Sequence, residues 1–112
     1  MATEADIICH KGAARRIRVE MRPAISIAGW TLGFYLRESE TATTLLLSFS
    51  GPPQFTIVDE DNGVFHLDIP EANTLALPVA VYRYNIWRDD AGSKDVICFG
   101  NFTIDSQVKH TN

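Results

Sequence analysis

Apolar and polar residues alternate along most of this chain with a period of two, the period of a β-strand with one wet face. In the run RRIRVEMR at 15–22, Ile17, Val19 and Met21 fall on one side, and Arg16, Arg18, Glu20 and Arg22 fall on the other. Pro23 ends this run, because proline has no N–H to give to a ladder. Over 30–37, Trp30, Leu32, Phe34 and Leu36 share one face, and Thr31, Gly33, Tyr35 and Arg37 share the other. VFHLDIP repeats the pattern with Phe65, Leu67 and Ile69 pointing inward. The two longest alternating runs are 79–88 and 95–105. The first sets Ala80, Tyr82, Tyr84 and Ile86 against Val81, Arg83, Asn85 and Trp87. The second sets Cys98, Gly100, Phe102 and Ile104 against Ile97, Phe99, Asn101 and Thr103.

Shorter strands are expected at DIIC (6–9), TLLLSF and FTIVDED. Turns are expected at HKGA, PAISIAG, SGPPQ, DNG and DDAGSKD, where Gly, Pro, Asn and Asp collect, and at the polar run ESETAT. EANTLALP predicts about one turn of helix. About seven or eight strands with regular turns predict an all-β chain, an antiparallel β-sandwich, with a closed barrel as the rival closure. No linker or internal repeat divides residues 1–112, so one domain is expected, with its core over about 6–105 and a fraying tail at 106–112. The expected core is Ile17, Val19, Trp30, Leu32, Phe34, Leu36, Phe65, Leu67, Tyr82, Tyr84, Ile86, Phe102 and Ile104.

With 112 residues, 46% of them hydrophobic, the chain has enough apolar surface for a real core. Its net charge of −4 argues against nonspecific nucleic-acid binding, which needs clustered Lys and Arg to neutralise phosphates. The basic run KGAARRIR is short, and its arginines alternate with Ile17 and Val19, as on a solvated strand face. No apolar run approaches the length of a membrane span. The start MATEADIICHKG lacks a basic segment followed by an apolar one, so no signal peptide is expected. This predicts a chain at work in the cytoplasm, or in a particle assembled there. Its two cysteines make no disulfide framework, and both thiols are expected reduced. A Cys9–Cys98 bridge is conceivable if the first and last strands lie together.

Candidate chemistry is sparse. Cys9, His10, His66, Cys98 and His110 lack metal-ligand spacing, so no metal or cofactor is expected. DEDNG at 59–63 offers Asp59, Asp61 and Asn62 as oxygen ligands for calcium, but without the spacing of the twelve-residue calcium loop. A solvated hairpin turn is the preferred reading of this run. His66 and Asp68 fall on one strand face and could meet, with no nucleophile beside them. G-x-S-x-G, P-loop and G-x-G-x-x-G motifs are all missing, and the carboxylates fall in turns, so no enzyme is expected. What remains is an apolar outer face. Trp87, Ile97 and Phe99 alternate away from the core and meet across the last hairpin, with Arg83 and Asn85 as a polar rim. Such a patch serves a protein partner, unless PAISIAG or the N-terminal strand covers it.

Two resemblances follow from these motifs. Leu77, Pro78 and Tyr82 in TLALPVAVYRYNIW resemble the approach to the penultimate strand of fibronectin-type and immunoglobulin-like sandwiches, where an early inward Tyr returns its hydroxyl to upstream backbone. More widely, RIRVEM, GWTLGFYLR, DNGVFHLDIP, TLALPVAVYRYNI and VICFGNFTI resemble the immunoglobulin-like domains of tailed-phage and prophage baseplate upper proteins and tail-fibre attachment modules, over about 6–105. Gly100, Phe102 and Ile104 match that family's last strand. Asn85 stands where an Asp is usual, and Val79 or Ala80 stands where a Gly is common. The resemblance implies a structural adaptor in a virion tail, baseplate or neck. It would associate with itself and with neighbouring virion proteins, and need no nucleic acid or membrane. The competing expectation is a carbohydrate-binding sandwich that stacks sugars on Trp87 or Tyr35, with turn carboxylates holding calcium.

Overall fold

A computed structural model describes residues 3–39, 41–51, 53–90 and 92–105. The tail at 106–112, His110 included, lies outside the described residues. Among the described residues, nine strands and one short helix follow in chain order. They are β1 (Thr3–Glu4), β2 (Ile7–His10), β3 (Arg15–Glu20), β4 (Leu32–Arg37), β5 (Leu45–Ser50), β6 (Phe55–Asp59), β7 (Val64–Ile69), α1 (Glu71–Ala76), β8 (Ala80–Asp90) and β9 (Ser93–Asp105). Two sheets form. The larger runs β1-β9-β8-β4-β5, with β2 also paired to β9, and the smaller runs β3-β7-β6. The sheets do not join at β5 and β6, so the closure is a sandwich and not a barrel.

The alternation read from sequence decides which side of each strand is buried. Leu32, Phe34, Leu36, Phe65, Leu67, Tyr82, Tyr84, Ile86, Phe102 and Ile104 are all buried. Phe34 sits at the middle of the larger sheet's inner face. Its ring lies 5.7 Å from Phe49, 6.0 Å from Tyr84 and 5.9 Å from Phe102, distances typical of aromatic packing. Ile17, Val19 and Trp30 pack against this core but stay half-buried. The first two lie on β3, which is an edge strand. Trp30 lies at a sheet end under the Arg88 guanidinium, 4.3 Å from the ring centroid. Ala80, expected inward, is exposed at the start of β8.

The strand order is that of an immunoglobulin-like sandwich. Strands two, five and four of the pattern (β3, β7, β6) make one sheet, and the last two strands with the central pair (β9, β8, β4, β5) make the other. The expected tyrosine corner is present, with the Tyr82 hydroxyl donating to the Pro78 carbonyl at 2.5 Å. The helical turn α1 leads into that corner. Lys11 holds its end by donating to the carbonyls of Leu75 (2.8 Å) and Leu77 (2.6 Å), which the helix itself leaves unpaired.

Two expectations are corrected, and one open alternative is closed. DDAGSKD is mostly strand, because Asp89 pairs with Lys94 and Asp90 with Ser93, which leaves the connection at 91–92. Cys9 and Cys98 do not meet. Cys9 pairs with Ile104, while Cys98 pairs with Ile86 six residues earlier on β9, about 20 Å along the strand. Both are free thiols. Finally, Ile97 is not on the outer face but 8% exposed in the core. The register shifts between Ile86 and Trp87, so Trp87 pairs with Val96 and Ile86 with Cys98. Ile97 is the extra residue of this bulge and turns inward.

Candidate functional site

The outer face of the larger sheet is built by the residues that alternate away from the core on β4, β8 and β9. Strand register arranges them in three rows. Gly33, Trp87 and Val96 form one, Tyr35, Asn85 and Phe99 the next, and Arg37, Arg83 and Asn101 the third. Four of the five contact residues read from sequence therefore do come together: Arg83, Asn85, Trp87 and Phe99. Val96 takes the place expected of Ile97.

Asn85 is at the centre of this grid. Its Oδ1 is buried and has no hydrogen-bond partner. Two shallow depressions share Arg37 and Asn85 as lining. One, of about 290 Å³, extends over Arg83, Val96 and Phe99, and the other, of about 240 Å³, over Tyr35, Leu45 and Trp87. A buried acceptor without a donor costs on the order of 1–3 kcal/mol, which is why such groups are rare in finished structures.

The groups around Asn85 are held in place. The Tyr35 hydroxyl donates to the Asp89 carboxylate, which also accepts from Lys94 Nζ at 2.8 Å. The bond to Asp89 first, and burial second, push the Tyr35 phenol up to about 12. Lys94 first, and then Tyr35, hold the Asp89 carboxyl below its ordinary value. The Tyr35 ring lies over Gly33, where a Cβ would come within 2.7 Å of the hydroxyl oxygen. Gly33 thus makes the bed for the ring, an arrangement that shields a glycine in a strand. Arg83 donates to Asn101 Oδ1 at 2.7 Å. Sequence reading put Arg37 on the outward side of its strand without assigning it to the contact face, and it missed Val96 there. The run Val96-Ile97-Cys98-Phe99, four apolar residues that cannot alternate, is the signal that marked the bulge.

Of the two expected covers, PAISIAG reaches the margin of the face, where Ile25 lines a hollow with Val96 and Lys94. In PAISIAG, Ile27 is 2% exposed in the core, and its N–H donates to Glu60 at 3.0 Å. Strands β1 and β2 extend the sheet sideways by parallel pairing with β9.

No family model matches this chain, and no curated protein does. Among solved structures it is similar to the ZIG-8–RIG-5 IG1–IG1 heterodimer. The identity is 9%, with 92% of this chain and 83% of that chain covered, at a TM-score of 0.41.

The other candidate groups are separate from this face. Asn62 donates to Asp59 at 2.8 Å, so those two members of DEDNG engage each other. No group of three or more His, Cys, Asp or Glu is gathered for a metal among the described residues. Asp68 does not pair with His66. It accepts twice from Arg16, at 2.7 and 3.2 Å. No described helix is long and apolar enough to cross a membrane.

Proposed function

We propose that this chain is a non-enzymatic adaptor domain that binds a protein partner through the outer face of its larger sheet. The observation that carries this reading is the orphaned Oδ1 of Asn85, buried at the centre of a face flanked by Tyr35, Trp87 and Phe99. A donor from a partner would remove the cost of that unpaired acceptor, and the aromatic side chains around it are the type that anchors interfaces. The motif resemblance to phage and prophage immunoglobulin-like domains supports a place in a virion tail, baseplate or neck, with neighbouring virion proteins as partners.

The test is Asn85→Leu, which fills the same space without the unpaired oxygen. If the oxygen is kept for a partner, the isolated variant is more stable, by about 1 kcal/mol or roughly 4 °C in midpoint. The same variant, co-expressed with the products of adjacent genes, no longer co-purifies with the one that binds wild type. A variant that is destabilised, or that binds as wild type does, overturns the reading. Enrichment of the wild-type chain on a glycan array, lost in the same variant, would assign the face to sugar instead.

A further inference from the structure

The longest stretch without a charged residue or histidine runs from Thr41 to Val58, between Glu40 and Asp59. Those eighteen positions contain β5 and all of β6 except its last residue, Asp59, and these two strands are the free edge of each sheet on one side of the sandwich. Leu45 and Leu46 are each 40% exposed there, Ile57 is 43% and Val58 is 47% exposed. Beside β6 lies a hollow of about 490 Å³ whose lining, which includes Trp30, Leu32, Phe55 and Ile57, carries no charge.

The opposite side of the sandwich is managed differently. The free edge of β3 carries Arg16, Arg18 and Glu20 exposed along its length, and β1 and β2 are two and four residues long. Short strands and charges are the usual protection of a sheet edge against pairing with another chain. Over 41–58 there is no charge at all. A two-fold contact sets residues near its axis against their own copies, so a charge there would meet a like charge. In a chain of net charge −4, β5, an edge strand without a charge, is the one best suited to pack against itself.

We infer that a second copy of this chain occupies that side, with β5 pairing antiparallel to β5 across a two-fold axis. The inference rests on the adaptor reading above and gives its self-association a surface separate from the partner face. Gly51 donates its N–H to Leu32 of β4 at 3.1 Å, so by alternation the main-chain groups of Ser48 and Ser50 point to the free edge. Pairing centred on Ser48 sets it opposite Ser48 of the second copy. Leu47 then faces Phe49 of the second copy, and the half-buried inner row of each sheet edge is covered.

Sedimentation equilibrium of the full chain tests this. The expected mass is twice 12.5 kDa at high concentration. Leu46→Lys and Ile57→Lys, both at exposed positions, should sediment as single chains with unchanged circular dichroism, while Trp87→Ala stays paired. Ser48→Cys should form a disulfide-linked dimer on mild oxidation, because a directly opposed hydrogen-bonded pair has Cα atoms about 5.5 Å apart. The native thiols are both buried. A single-chain mass at every concentration overturns the inference. So does a dimer that survives both lysine variants, one that dissolves with Trp87→Ala, or open-ended growth. A monomer that still binds its partner through Trp87 defeats this inference alone and leaves the adaptor reading standing.

Discussion

At the scale of single residues, hydroxyls and thiols report most directly on packing. The Tyr82 hydroxyl reaches the Pro78 carbonyl at 2.5 Å and ties the start of β8 to the turn before it. Tyr82→Phe keeps the ring and removes only that bond. It should cost about 1 kcal/mol, seen as a drop of roughly 4 °C in the thermal midpoint. An unchanged midpoint would show that the corner contributes nothing. Burial raises the thiols of Cys9 and Cys98 from 9.0 to about 11, and the bond to Asp89 helps raise the Tyr35 phenol from 10.0 to about 12. The folded chain therefore keeps these protons at a pH where the unfolded chain has lost them. Their stabilising contribution is complete below pH 9 and is lost as pH climbs through 11 and 12. Urea midpoints should be level from pH 7.5 to 9 and fall above that. A midpoint that rose above pH 9 would contradict the assignment. The corner was legible in the sequence, because Leu77, Pro78 and Tyr82 stand in the order it needs. The inward turn of Ile97 was not, because the position of a bulge depends on how Trp87 registers against its partner strand.

At the scale of elements, the strands with clean alternation were legible: β3, β4, β7, β8 and β9 lie where their periodicity puts them. The N-terminal segment was only half legible, because strands of two and four residues carry almost no periodic signal. Its position depends on one residue of β9. A Cβ at Gly100 would lie 2.3 Å from the Ala5 carbonyl oxygen. Without that Cβ, the Ala5 carbonyl comes close enough to accept the Tyr84 hydroxyl, and Asp6 Oδ1 accepts the Asn101 N–H at 3.0 Å. Ala5 in turn donates to Phe99 at 2.8 Å. Gly100→Ala should push this segment off β9 and destabilise the fold by about 1–3 kcal/mol. The Ala5 and Asn101 amides should then exchange with deuterium faster than the amides of β4. Unchanged exchange at both amides would show that the segment is held elsewhere.

At the scale of the whole molecule, the sandwich divides its surface by chemistry. The face of the larger sheet gathers aromatics, two arginines and one unpaired acceptor, and the free edge strand β5 carries no charge. Composition and alternation were enough to predict a sandwich, because its inner and outer positions follow from period two. The outer face was legible only in outline. Arg83, Asn85, Trp87 and Phe99 were expected there, but Tyr35 over Gly33, the reach of Tyr35 to Asp89, and Val96 in place of Ile97 depend on contacts between distant strands. The central claim is that this face carries the partner. The most direct measurement is the amount of an adjacent-gene product that co-purifies with Trp87→Ala, relative to wild type, with both chains shown to be folded by circular dichroism. Trp87 is half-buried on the face, and loss of an interface tryptophan commonly costs 2 kcal/mol or more, about a thirtyfold loss in affinity. The account predicts that the folded variant loses the partner. A folded variant that retains it at the wild-type level would contradict the account.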